Sequence, residues 1–396
     1  MFTTLRIKKN SLLVATLSFG ISVLSHAQDV NNTALTVEEL RIDKAQQLMP
    51  TVTSRLTTRV EKFSSQLSKA NNYTVLTQLT MRHAKALWLE AKTSFRQLND
   101  FDDRPLYWAR LQMSKALRSS KAFAELFANQ QQKLLWMLEL QSRGQMDIKF
   151  DKKADKKILL TGFDPFFLDR HIDQSNPSGV IALSLDDLVV SMEGQTAEIE
   201  VLIIPVRFRD FDQGMIEELL SPYIQDKSVD MVLTVSMGRE NFDLERYPAL
   251  RRSANAPDNI NVLTGATKTN PLVPMLKSSA LLGPEFVEFS LPIMAMKKGE
   301  GKYIVNDNRN VSTLSGGAFN AQALADITKQ TSVSGSGGGY LSNEISYRSI
   351  LLRNKFNSSL PVGHIHTPKI SAFDKQALSD IVKQTKSIIT QGVAAL

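Results

Sequence analysis

From Gln28 to Arg143 the chain has no glycine and only two prolines, Pro50 and Pro105. Glycine and proline are the residues that turns and strand ends draw on most, so a stretch this long without them points to helices joined by short connections. The apolar spacing agrees. Leu56, Val60, Phe63 and Leu67 recur on one helical face. Thr36-Val37-Glu38-Glu39 reads as a capping box, with Glu39 three residues after the cap. A second pattern runs from Thr74 to Leu98, with Leu87, Trp88 and Ala91 expected on one core-facing side. Asp102-Asp103-Arg104-Pro105 is a helix start, acidic before its first turn and with proline inside it. A last pattern covers Lys121 to Gln141. The expectation is a separate all-α domain over residues 28–150, a bundle of about five helices without strands. Trp88, Trp108 and Trp136 read as core or interface residues of that bundle. His83 is a lone histidine with no obvious partner.

A charged stretch, Asp151 to Lys157, reads as a linker, and beyond it the period changes. Ile158 to Thr161, Val201 to Val206, Met231 to Val235 and Val362 to Ile365 are short apolar runs of the kind that form buried strands. Helical patterns lie between and after them, at Pro177 to Asp187, Asp212 to Tyr223 and Phe373 to Ile389. Strands alternating with helices predict an α/β domain over residues 158–396, a mostly parallel sheet covered by helices on both faces. Ligands in such sheets bind at the carboxyl ends of strands, so chemistry is expected just after the apolar runs.

Residues 1–27 carry the marks of a secretory leader: Arg6, Lys8 and Lys9, an apolar run from Ser11 to Leu24, then Ser25-His26-Ala27. The expected location is periplasmic or secreted, with no membrane span after cleavage. Removing those three cations takes the formal charge from +7 to roughly +4, too small to argue for nucleic acid. Cysteine is absent, which excludes disulfides, thiol catalysis and thiolate metal ligation. No metal or organic cofactor is indicated. The helical region is a candidate surface for self-association or for a partner.

Three segments fall where chemistry is expected: Gly162-Phe163-Asp164-Pro165-Phe166 after the first strand, Ser334 to Asn343 leading into a helix, and Gly363 to Pro368 ending a late strand. A nucleophile at a helix start gains from the amide dipoles, a histidine can serve as its base, and a carboxylate such as Glu245 can fix the imidazole. Taken singly these segments have plainer readings: a glycine-serine run is a loop, and Asp164 before proline is a turn residue. His364 and His366 are expected on opposite sides of their strand and hence not to share a metal.

Together and in order, the segments resemble the pyroglutamyl peptidase I family, the pyrrolidone carboxyl peptidases, which are cysteine peptidases. The resemblance runs over about residues 157–396. It rests on Gly162 to Phe166, Asn176-Pro177, Gly238-Arg239 with Glu245-Arg246, Pro257-Asp258-Asn259, Phe289 to Ile293, Ser334 to Asn343, and Ile365 to Pro368. It implies a hydrolase that removes an N-terminal pyroglutamyl residue from a peptide or a small acyl-amide. Carried over by position, Glu245 would orient His366, and His366 would activate residue 342. Phe163 and Phe166 would hold the lactam ring, with Asn176, Tyr340 and Leu341 nearby.

The chain departs from the family pattern at the site. Ser342 stands where the family has its nucleophilic cysteine. A hydroxyl is far less acidic than a thiol and needs full general-base help during attack. Asn255 falls where the family places an arginine, with Arg251 and Arg252 as possible substitutes. Phe167-Leu168 replaces two glycines, in a loop expected to close or reshape the ring pocket. An extra segment, about Gly299 to Thr313, precedes the nucleophile block. Two readings follow: an exported Ser-His-Glu hydrolase, or a catalytically inactive binding or interaction protein on the same fold.

Overall fold

The computed structural model describes residues 32–151 and 153–396 of the chain. The leader expectation therefore lies outside the described residues. Asn32 to Leu396 form one compact unit. No helix among the described residues is long and apolar enough to cross a membrane.

Among the described residues the glycine-free stretch is helical, in eight segments where the sequence predicts about five. They are α1 (Val37–Leu40), α2 (Ile42–Leu48), α3 (Pro50–Thr53), α4 (Thr57–Leu67), α5 (Tyr73–Leu98), α6 (Arg104–Arg118), α7 (Lys121–Ala124) and α8 (Ala128–Gln141). The difference comes from breaks inside predicted helices. Pro50 sits at the start of α3 and ends α2 before it, and residues 125–127 separate α7 from α8. Thr36 and Glu39 form the predicted capping box on α1. Leu56, Val60, Phe63 and Leu67 are all buried, as are Leu87, Trp88 and Ala91. His83 does have partners. Its Nδ1 faces Arg59 at 3.2 Å and its Nε2 faces Gln66 at 3.2 Å, and burial together with Arg59 lowers it to about 4.

The strand region begins inside the charged stretch, at Lys156. In order it comprises β1 (Lys156–Phe163), α9 (Pro177–Leu185), β2 (Leu188–Met192), β3 (Gln195–Ile204), α10 (Phe208–Asp212), α11 (Met215–Gln225), β4 (Met231–Met237) and β5 (Phe242–Glu245). Then follow β6 (Met275–Leu276), β7 (Ser279–Ala280), α12 (Ile293–Met296), β8 (Val305–Asn308), β9 (Asn310–Thr313), β10 (Gly317–Asn320), β11 (Ser332–Ser334), α13 (Leu341–Phe356), β12 (Val362–Thr367) and α14 (Lys375–Val393). The main sheet has seven strands in the order β2-β3-β1-β4-β12-β5-β8. Its centre, β3-β1-β4-β12, is parallel. β2 and β5 pair antiparallel to their neighbours β3 and β12, and β8 runs parallel to β5. The sheet is thus mixed and mostly parallel, and helices cover it. α9 and α14 pack on each other and on β3, while α13 packs on α11, β4 and β12.

Helical region and sheet share one hydrophobic core, in which Phe63, Trp88 and Leu138 belong to the same cluster as Leu160, Leu202 and Val235. Trp136 lies on that junction, its indole N–H donating to Glu218 at 2.9 Å.

Candidate active site

The carboxyl ends of β1, β3, β4 and β12 meet at one end of the sheet, and the predicted residues gather there. Glu245 closes β5 and is fully buried. His366 lies near the end of β12, its Nδ1 paired with Glu245 Oε1 at 2.6 Å. Burial pushes the Glu245 carboxyl up, and the bond to His366 pulls it back down. Such a pair fixes the imidazole with Nε2 directed away from the carboxylate.

Ser342 is the second residue of α13, in the turn where backbone N–H groups have no intrahelical partner. Its hydroxyl donates to the Gly337 carbonyl at 3.2 Å. Gly337 also lies against the imidazole, since a Cβ built there would sit 3.5 Å from His366 Cε1. Gly337 thus touches both Ser342 and His366. The loop between Ser334 and Ser342 is far from slack. Gly335 and Gly338 exchange backbone bonds, and Ser336 and Tyr247 bond in both directions. Asn343 anchors the helix start to Ala249 through both ends of its amide.

Beside Ser342 is a small, mostly apolar cavity of about 80 Å³. Phe163, Phe166, Asn176, Tyr340 and Leu341 line it together with Ser342. The Phe163 ring stacks on Phe211, with planes 7° apart. The Tyr340 phenol donates to the Pro257 carbonyl, and its ring meets Phe208 edge-on. Asn176 caps α9 and also donates to the Asp164 carbonyl at 2.8 Å, so much of its amide serves the backbone. Val206, Ser236 and Met237 complete the lining and were not predicted. Their signal was available, because Ser236 and Met237 directly follow the apolar run Met231 to Val235.

Three expectations need correction. Residues two apart on a strand share a face, so the reading of His364 and His366 as opposed was wrong. Their ring centroids are 4.7 Å apart. His364 is held between Thr234 and Ser236 at 2.8 and 2.7 Å, and burial drives it well below the usual histidine range. Phe167-Leu168 does not fill the cavity, whose lining includes neither, although the Phe167 ring packs on Phe166 with centroids 4.3 Å apart. Leu168 turns into the cluster of Ile42, Met49 and Trp108, and Phe167, at φ +64°, stays exposed. Arg251 and Arg252 do not reach the cavity beside Ser342, since Arg251 is paired with Glu285 and Arg252 with Asp212 and Glu344. Asn255 lines a separate pocket that includes Arg41 and Phe167.

The helical region holds the pocket loop from behind. Asp164, between Phe163 and Phe166, takes Arg110 at 2.8 Å and Arg143 at 2.6 Å, all three buried. Asp103 accepts from the Ser175 hydroxyl and the Asn176 backbone N–H. Elsewhere, Asp147, Asp186 and Asp187 converge, and Lys92 is bound to all three.

Comparison with known proteins divides the chain at the same place. A family model described as the PA0049 N-terminal domain matches residues 24–139, and one described as the PA0049 C-terminal domain matches 157–287 and 319–371. The chain is 26% identical to the uncharacterized protein PA0049 of Pseudomonas aeruginosa over 78% of its own length and 74% of that protein's. Similar solved structures include a mutant pyrrolidone carboxyl peptidase from Pyrococcus furiosus, at 19% identity and TM-score 0.40, covering 61% of this chain and 99% of that one. Pyroglutamyl peptidase I from Bacillus amyloliquefaciens is similar at 19% identity and TM-score 0.40, covering 61% and 98%.

Proposed function

We propose that the chain is an exported pyroglutamyl peptidase-like hydrolase in which Ser342 is the nucleophile, His366 its general base and Glu245 the residue that orients His366. The observation that carries this reading is the buried Glu245–His366 pair, which shares a contact at Gly337 with a hydroxyl at a helix N-terminus beside a ring-sized cavity. The pyroglutamyl ring enters between Phe163 and Phe166, whose faces suit a small neutral lactam. Ser342 Oγ attacks the acyl carbon while His366 Nε2 takes its proton. The first-turn amides of α13 face the oxyanion that forms. The imidazolium then returns the proton to the leaving amine as the C–N bond breaks, and water cleaves the acyl-serine by the same route. Export fits the absence of cysteine, since an exposed catalytic thiol oxidises in an oxidising compartment.

A second reading, a binding protein on the same fold, is favoured by one observation. The Ser342 hydroxyl is donated to Gly337 rather than to His366. One experiment separates the two: a pyroglutamyl amide reporter given to the parent and to Ser342→Ala, Ser342→Cys and His366→Ala. Turnover by the parent that is lost in Ser342→Ala and His366→Ala is expected. A silent parent beside an active Ser342→Cys would refute serine catalysis.

A further inference from the structure

The stretch between the two matched C-terminal segments, residues 288–318, contains β8. This strand pairs with β5, the strand that carries Glu245, and places Asn308 directly beside Glu245 in register. The Asn308 side-chain amide donates to Glu245 Oε2 at 2.8 Å and to the Ser336 carbonyl at 3.0 Å. His366 takes the other oxygen, Oε1. Both oxygens of a fully buried carboxylate are therefore held, one by the imidazole and one by a strand outside the matched segments. The second Asn308 bond reaches the glycine loop that leads to Ser342. Asn308 is the only residue whose hydrogen bonds join Glu245 to that loop among the described residues.

We propose that Asn308 is a positioning residue for the Glu245–His366 pair, fixing the carboxylate plane so that the imidazole presents Nε2 toward Ser342. This rests on the hydrolase reading for its catalytic consequence, but the contact itself does not. A carboxylate free to rotate about its terminal torsion, which is broad and roughly two-fold, can swing its oxygens away from the imidazole. Two donors on separate oxygens remove that freedom. The other charged or titratable groups around the pair are Asp243 on β5, Arg239 after β4 and His364 on β12, while Asp307 on β8 is taken up by Arg246 and Arg309.

The test uses the full chain with ¹³C-labelled histidine, following the His366 ring by NMR as pH is varied and assigning it by its loss in His366→Gln. In Asn308→Ala the carboxylate is free to turn its oxygens away from the imidazole and holds the imidazolium less tightly. The His366 midpoint is expected to fall by about half a unit to one unit. Asn308→Ser, whose hydroxyl is too short to span to Glu245, is expected to shift it in the same direction and serves if the alanine variant fails to fold. Asn310→Ala, at an exposed position of the neighbouring strand, is expected to titrate like the parent. With the reporter, Asn308→Ala is expected to lower kcat about tenfold at unchanged KM. Parent midpoints in both Asn308 variants overturn the proposal, whatever their melting temperatures. Shifted midpoints in a chain whose parent turns over no reporter would remove the hydrolase reading and leave the positioning role. An active parent with unshifted variants would remove the positioning role alone.

Discussion

At the scale of single residues, the site is crowded enough that a methyl group matters. Gly238 follows β4 and its amide bonds to the Thr367 carbonyl, so its Cα faces the end of β12. A Cβ at this position would stand 2.6 Å from His366 Cβ and 3.0 Å from the Thr367 carbonyl oxygen. Neither neighbour is the loose end of a flexible side chain. Gly238→Ala must therefore displace the imidazole, and displacement of about 1 Å can cost on the order of a hundredfold in rate. Reporter kinetics are expected to show kcat reduced by about that factor, with the protein still folded by circular dichroism. A variant with parent kcat would mean that His366 has room to spare. Gly238 was legible as part of the Gly238-Arg239 block, but its reason was not. The contact it must leave room for comes from a residue more than a hundred positions away.

At the scale of elements, the loop after β1 and the helices behind it act as one piece. Asp164 sits between two buried guanidiniums that come from α6 and from the turn after α8. Removing the anion leaves Arg110 and Arg143 facing each other without it, and breaking a buried pair in this way costs about 3–5 kcal/mol. Asp164→Ala is expected to lose stability in that range by urea unfolding, whereas a loss below about 1 kcal/mol would mean the arginines find other acceptors. The sequence marked Asp164 as a turn residue, which describes its backbone and misses its charge. Arg110 and Asp164 lie 54 positions apart, and no local pattern connects them. By contrast, β1, β3, β4 and β12 were readable because a buried parallel strand is a continuous apolar run. β2, β5 and β8 were missed because they are short and lie toward the edges of the sheet. Glu245 and His366 were singled out through the order of the motifs, while Asn308 lies on one of the missed strands.

Across the whole molecule, the junction of the helical region and the sheet buries more carboxylates than it pairs well, and this gives the fold a pH dependence. Asp103 is pushed up to about 8 by burial, against bonds from Ser175 and Asn176 that pull it down. Asp186 is pushed up to about 7 by burial, with Lys92 opposing. Glu200 on β3 reaches about 8, raised by burial and then by Asp186 and Asp187. Its Oε2 has no hydrogen-bond partner. For each of these groups the folded state holds its proton more tightly than the unfolded chain does. Their contribution is most favourable below the unfolded value, near 4, and is lost as pH rises through the folded value. Stability should therefore decline between about pH 4 and pH 8 from these groups. Glu200 offers the cleanest isolation of the effect, since Gln keeps its shape and hydrogen-bonding capacity without a titrating proton. Glu200→Gln is expected to differ little from the parent near pH 4 and to be progressively more stable up to about pH 8, with a constant advantage beyond. Urea midpoints of both proteins across that range measure it. A difference that does not change with pH would mean that Glu200 is ionised in the folded protein at neutral pH, and that the junction accommodates its charge.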